Sequence, residues 1–201
     1  MSILLSLQGG MAAGKSTAAR FAENALPWLV VDYENPIPVW KEVERLGLFE
    51  NTCENFVARQ RMFMEWELKR RDRAVERGGV TLFDLGAEEI EFFSLFYPMS
   101  LGFDWDVETL LAPELAALRS RRPDAVLYLD ATHETLTSRR AYDSEKKRGF
   151  FDHFISKMAD NKRSWFASYP NTIFHDVTDQ HPDEVGNTVV AWTNKFREES
   201  T

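Results

Sequence analysis

The chain has 201 residues, of which 44% are hydrophobic and 13% aromatic, a composition that suits one globular domain and excludes a disordered chain. The formal net charge of −8 gives no sign of a surface that coats nucleic acid, so we expect no nucleic-acid partner. The single cysteine, Cys53, suits a reducing compartment, and no stretch approaches the roughly 18 apolar residues of a membrane span; we therefore expect a cytoplasmic protein without a membrane partner.

Strand-length apolar runs recur along the chain and are continuous rather than alternating, as in strands buried on both faces of a parallel sheet. They cover residues 3–7, 28–32, 80–84, 125–130 and 172–175. Segments with helical periodicity separate them, including 53–77, 107–119 and a last helix from Pro182. This order predicts an α/β fold in which helices cover both faces of a doubly wound, parallel five-stranded sheet in three layers. We expect one domain over residues 1–201.

The turn after the first predicted strand carries a phosphate-loop motif. Residues 9–16 match G-x-x-x-x-G-K-[ST] at every fixed position and are followed by a predicted helix, which is the context that the motif requires. Backbone amides of such a loop bind phosphate oxygens, while its lysine reaches the β- and γ-phosphates and its hydroxyl binds magnesium. The predicted ATP-binding residues are Gly9, Gly10, Met11, Ala12, Ala13, Gly14, Lys15, Ser16 and Thr17. A P-loop NTPase fold that uses ATP and Mg²⁺ follows from this motif.

Acidic residues lie at the predicted carboxyl ends of the second and third strands, where open α/β sheets place their sites. Asp32, Glu34 and Asp84 are candidates for the base that orients an acceptor hydroxyl. Asp84 is equally a candidate for anchoring magnesium or capping a helix. The later acids Glu88 and Glu89 are explained as first-turn residues of the next helix, where negative charge is favoured.

A basic segment follows the fourth strand and its helix. Five cations occur in residues 139–149, and their ordinary interpretation is a solvated helix end and loop. The functional interpretation is a lid over about residues 139–152 that closes on the transferring phosphoryl group. Arg139 and Arg148 are the preferred phosphate-binding residues, because a guanidinium can bind phosphate with two parallel hydrogen bonds.

In these features the chain resembles P-loop small-molecule kinases, specifically the deoxynucleoside kinase and nucleoside monophosphate kinase-like family. Residues 32–36 with Trp40 resemble the family's Glu-Pro…Trp segment, which implies that Glu34 is the general base. Residues 56–70 resemble the long helix whose glutamine binds the base, which implies that role for Gln60, although a surface position is an alternative. Trp40 and Gln60, with Glu34 and Asp84, are the predicted acceptor-binding residues. The apolar helices after residue 53 could form the dimer contact that is frequent in the family.

Residues 83–86 and 127–148 complete the resemblance and include one departure. Residues 83–86 stand where the family has (Asp/Glu)-Arg-Ser, and residues 127–130 with Glu134, Arg139 and 146–148 resemble the strand, helix and lid that clamp phosphates. Leu85 replaces the family's arginine, whose loss removes transition-state stabilisation unless another cation replaces it. Arg59, Arg61 or a lid residue are the candidates for that replacement.

The leading hypothesis is therefore a kinase that moves the γ-phosphoryl group of ATP to a small molecule, most simply a (deoxy)nucleoside. One alternative is a kinase for another small acceptor, such as a nucleotide, a sugar acid or an antibiotic. A second, motivated by Leu85, is a nucleotide-binding regulatory protein without transfer activity.

Overall fold

The computed structural model describes residues 2–141 and 148–198. Its five strands form one sheet in which every pairing is parallel, with the order β2-β3-β1-β4-β5. The strands are β1 (Ser2–Gly9), β2 (Leu29–Tyr33), β3 (Gly79–Asp84), β4 (Ala125–Asp130) and β5 (Thr172–Asp176). From β1 at the centre of the sheet the chain passes to the edge strand β2, returns through β3 and then crosses β1 to reach β4 and β5. The connections that leave the neighbouring strands β1 and β3 therefore run in opposite directions. A crevice at such a switch point is where doubly wound folds bind ligands. The predicted fold class and all five predicted strands are confirmed.

Helices of the described residues connect and cover these strands. They are α1 (Lys15–Ala25), α2 (Ile37–Arg45), α3 (Cys53–Arg77), α4 (Ala87–Ser100), α5 (Val107–Leu110), α6 (Ala112–Arg119), α7 (His133–Ala141), α8 (Arg148–Lys157), α9 (Ala159–Ala167) and α10 (Pro182–Glu198). Among them, none combines the length and the apolarity that crossing a bilayer requires.

Both faces of β1, β3 and β4 are buried, as the continuous apolar runs predicted, whereas the edge strand β5 is only partly covered and its Ile173 is 53% exposed. In β4, Leu127 and Leu129 belong to the cluster that packs against α1 and α10, whereas Val126 and Tyr128 contact Phe166 of α9 and its neighbours on the opposite face. This alternation follows from the two-residue period of a strand. The sheet therefore holds the loops at its carboxyl edge on a rigid base.

Local chemistry fixes the ends of α3 where the sequence predicts them. The Thr52 hydroxyl accepts a hydrogen bond of 3.2 Å from the Asn55 amide, which caps the first turn. Gly78 then ends the helix with φ of +75°, a conformation that favours glycine.

The prediction of a single helix over residues 107–119 is wrong. The structure breaks it at Leu111 into α5 and α6. Asp106 caps α5 by accepting a hydrogen bond of 3.2 Å from the Thr109 amide, and Pro113 lies at the first turn of α6. Because proline has no amide hydrogen, it is tolerated at the start of a helix and disfavoured in its interior.

Candidate active site

The loop between β1 and α1 is shaped by backbone conformations that favour glycine. Gly9 has φ of +145° and Gly14 has φ of +95°. A Cβ atom at Gly9 would overlap the carbonyl oxygen of Leu129 on β4, so no side chain fits there. At Gly14 a Cβ atom would meet nothing within 4 Å, because the loop opens toward solvent on that side. The residues predicted as the phosphate loop thus form a rigid turn with one accessible side.

The first turn of α1 presents its amides on that accessible side. The described residues provide no side-chain cap for this helix, and its first turn contains no acid. The amides of Lys15, Ser16 and Thr17 therefore have no partner within the helix. Together with the positive end of the helix dipole they form an anion site that suits a phosphate group.

Lys15 bends back over the loop. Its Nζ donates hydrogen bonds to the carbonyl oxygens of Gly10 at 2.8 Å and Gly9 at 3.3 Å. The pKa of Lys15 is lowered to about 8, first by burial and then by the positive charge of Lys162, while the carboxylates of Glu89, Asp84 and Glu34 oppose the shift. The lysine is thus surrounded by acids and one other cation at the carboxyl edge of the sheet.

Glu34 and Asp84 lie together beside Lys15. The strand register pairs Tyr33 with Asp84, and the Glu34 amide donates a hydrogen bond of 3.2 Å to the Asp84 carbonyl oxygen. The loss of water around the Glu34 carboxyl raises its pKa; the charge of Glu89 adds to this, and Arg70 and Lys15 oppose it. A carboxyl with a raised pKa is suited to accept a proton near neutral pH. The predicted grouping of these two acids with the phosphate loop is observed.

Two oxygen donors at the loop suit a magnesium ion. Ser16 is exposed at the start of α1, and Asp84 is buried with an Oδ1 atom that has no hydrogen-bond partner in the described part of the chain. Within residues 2–141 and 148–198 there is no group of three His, Cys, Asp or Glu that could hold a metal alone. Mg²⁺ usually keeps several waters and binds one or two protein oxygens plus substrate phosphates, so this donor set fits the ion.

The two predicted acceptor residues outside this group have different environments. Trp40 is 46% exposed and packs edge-on against Phe63, with ring centroids 5.1 Å apart. Gln60 is buried, and its Oε1 accepts a hydrogen bond of 2.9 Å from the Ser94 hydroxyl. The surface alternative for Gln60 is therefore wrong, whereas its role in reading a base stays a prediction.

Arg139 has a different environment from the one expected of a lid residue. Its guanidinium donates hydrogen bonds to the carbonyl oxygens of Val177 at 2.6 Å and Gln180 at 3.1 Å, and it reaches that of Ala13 at 3.4 Å. These bonds join the phosphate loop to the segment between β5 and α10. The guanidinium of Arg139 therefore binds backbone carbonyl groups in this structure, and its role in binding phosphate stays a prediction. Residues 142–147 of the predicted lid and the side chain of Arg148 lie outside the described residues.

Arg70 is a buried cation near the site that sequence reasoning missed. Its guanidinium donates to the carboxylate and the carbonyl oxygen of Asp32, both at 2.6 Å, and to the carbonyl oxygen of Leu85 at 2.9 Å, and it pairs with Glu67 at 3.0 Å. Asp32 is thereby used in an ion pair, which argues against it as the base. A sequence signal exists, since Phe56, Gln60, Phe63, Arg70 and Ala74 are buried residues of α3 at helical spacing.

The acids of α4 have partners that capping does not explain. Glu88 is buried against β1 and accepts hydrogen bonds from Gln8 at 2.9 Å and from Ser6, and its burial raises its pKa. Glu89 pairs with Lys162 of α9 at 2.6 Å. Both acids lie in the first turn of α4 as predicted, but each also has a buried polar partner, so the expectation that capping alone explains them is wrong.

The strand order and the glycine-rich loop between β1 and α1 define the class of fold, a P-loop α/β fold with a parallel five-stranded sheet. Two solved structures of deoxyadenosine kinase from M. mycoides are similar to this chain over 96% of its length and 100% of theirs. One, with the products dCMP and a flexible dCDP bound, has a TM-score of 0.70 at 12% identity. The other, with bound dCTP, has a TM-score of 0.61 at 15% identity. No family model and no curated protein matches the sequence.

Proposed function

We propose that this protein is an ATP- and Mg²⁺-dependent kinase that transfers the γ-phosphoryl group to a hydroxyl of a (deoxy)nucleoside. The observation that carries the proposal is the electrostatic grouping of Lys15 with Glu34 and Asp84, the last two joined by a backbone hydrogen bond of 3.2 Å. Phosphoryl transfer needs little more than a phosphate cradle, charge neutralisation and a base that orients the nucleophile. We assign these three roles to residues at the carboxyl edge of the sheet.

Each residue has a defined task in this proposal. The amides of residues 9–17 and the Lys15 ammonium bind the β- and γ-phosphates. Ser16 and Asp84 would hold magnesium, which neutralises phosphate charge. Glu34 accepts the proton of the acceptor hydroxyl, for which its raised pKa suits it. Exposed Trp40 and buried Gln60 extend the site from Glu34 toward the acceptor.

The choice of a nucleoside as acceptor has two supports. The structurally similar deoxyadenosine kinase is a nucleoside kinase by name and was solved with deoxycytidine nucleotides. In this chain α2, which carries Trp40, directly follows the segment with Glu34, and Trp40 packs against Phe63 of α3, the helix that carries Gln60. Leu85 still favours the alternative of nucleotide binding without transfer, because the cation of the family motif is absent at that position.

A turnover assay separates these possibilities. ADP release is measured with ATP, MgCl₂ and a panel of deoxynucleosides and ribonucleosides, for the wild type, Lys15→Met, Asp84→Asn and Glu34→Gln. We expect nucleoside-dependent ADP release that each substitution reduces by about 100-fold or more. ATP binding without ADP release for any nucleoside would instead support the regulatory alternative or a different acceptor.

The domain organisation, compartment and partners of the protein are proposed from its composition. Residues 1–201 form one P-loop kinase domain in this proposal, and the lone Cys53 favours the cytoplasm. The negative charge disfavours nucleic acid as a partner. A homodimer through the helices after residue 53 predicts a mass of twice 23.3 kDa in light scattering.

A further inference from the structure

Leu85 stands where the family has an arginine, so another group has to supply that positive charge. Two of the expected substitutes, Arg59 and Arg61, have other partners. Arg59 donates to the carbonyl oxygens of Leu48 and, at 3.2 Å, Glu50. Arg61 pairs with Glu114 at 2.8 Å. Both side chains are thus bound to segments around α2 and α6, away from the phosphate loop.

Lys162 is a buried lysine that enters the phosphate loop from α9. Only 2% of its side chain is exposed, and its Nζ donates a hydrogen bond of 3.0 Å to the carbonyl oxygen of Gly9. The aromatic rings of Phe93, Phe154 and Phe166 surround the ammonium, each with its centroid within 5.9 Å. The position of this cation is therefore fixed by packing.

Lys162 and Lys15 share the same acceptor. The carbonyl oxygen of Gly9 accepts from Lys15 at 3.3 Å as well as from Lys162 at 3.0 Å. Two ammonium groups so close repel each other, and Glu89 offsets the charge of one. An anion bound between them removes that repulsion, so the pair is arranged for a polyphosphate.

The ammonium of Lys162 contacts three acceptor atoms: the Gly9 carbonyl oxygen at 3.0 Å and the two Glu89 carboxylate oxygens at 2.7 and 2.6 Å. A lysine that served only to join α9 to α4 through Glu89 would gain nothing from lying beside a second ammonium. Its place at Gly9 therefore points to a ligand.

We propose that Lys162 is a second fixed phosphate-binding cation, held in place by Glu89, that contacts the terminal phosphoryl group and supplies the charge missing at Leu85. This inference rests on the proposed function. Lys15 reaches the β- and γ-phosphates in such loops, so a cation that shares its acceptor lies at the same end of the nucleotide.

The test separates a phosphate contact from a structural ion pair. Lys162→Met leaves Glu89 buried and unpaired, so the double variant Lys162→Met/Glu89→Gln is made to remove both charges at once, a change that buried pairs often tolerate. Lys157→Met, an exposed lysine at the end of α8, is the matched control. Binding of Mg·ATP and Mg·ADP is measured by calorimetry, and folding by urea denaturation.

We expect the folded double variant to lose about tenfold in ATP affinity and less than about threefold in ADP affinity, the value of one charge-assisted hydrogen bond to the terminal phosphate. Wild-type affinity for both nucleotides in that variant, or an equal loss for both, would overturn the assignment. If the wild type bound neither nucleotide, the proposed function itself would fail. Should the double variant not fold, a wild-type crystal with a non-hydrolysable ATP analogue decides, with Lys162 Nζ expected within about 3.2 Å of a γ-phosphate oxygen.

Discussion

Replacing Arg70 with methionine should destabilise the protein more than any other single loss of charge on α3. Its side chain is 2% exposed and joins the carboxyl ends of β2 and β3 through Asp32, Glu67 and the carbonyl oxygen of Leu85. The substitution leaves two acids and two carbonyl groups without their donor. Removing one partner of a buried pair costs about 3–5 kcal/mol, so we expect the free energy of unfolding to fall by that amount.

The assay is urea denaturation followed by the fluorescence of the 6 tryptophans. Lys69→Met is the matched control, because Lys69 precedes Arg70, is 62% exposed and pairs only with Glu65 on the surface. That change should cost less than about 0.5 kcal/mol. A loss below about 1 kcal/mol for Arg70→Met would refute the claim that this guanidinium holds the two strand ends together.

Other predictions concern the loop and its acids. Gly9→Ala should abolish ATP binding in calorimetry, because its Cβ would overlap the Leu129 carbonyl, and wild-type ATP affinity in that variant would contradict this. Because the pKa of Lys15 is about 8, its positive charge is present below pH 8 and is lost above it. ATP affinity should therefore be lower at pH 9 than at pH 7, and equal ATP affinities at the two pH values would contradict this. Glu34→Gln should lower kcat by about 10²- to 10⁴-fold with ATP affinity within about threefold, and an unchanged kcat would exclude Glu34 as the base.

Features that depend on neighbouring residues could be predicted from the sequence. The phosphate loop is a contiguous motif, and α3 has its cap and its terminating glycine within a few residues of its ends. The sheet followed from apolar runs, and their burial on both faces is confirmed for β1, β3 and β4 but not for the edge strand β5. The break at Leu111 was also visible, since Pro113 lies inside the segment that periodicity alone assigned to one helix.

Features that depend on distant residues could not be predicted. Lys162 meets Gly9 across 153 positions, and Arg70 meets Asp32 across 38. In a sequence, Lys162 looks like an ordinary member of a charge-rich helix. Arg70 shares the helical spacing of the buried face of α3, but that spacing does not reveal its partner Asp32. The same reason explains why Arg139 was expected in a lid, although its partners lie on the loop after β5.

The central claim is that the loop of residues 9–17 and Glu34 together transfer a phosphoryl group to a nucleoside. Phosphorus NMR of a mixture of wild-type protein, Mg·ATP and deoxynucleosides measures it directly, with Lys15→Met as the blank. We expect the resonance of a nucleoside monophosphate to appear, with one molecule of monophosphate formed for each molecule of ADP. ATP that stays intact, or ADP that forms with free phosphate and no monoester, would contradict it.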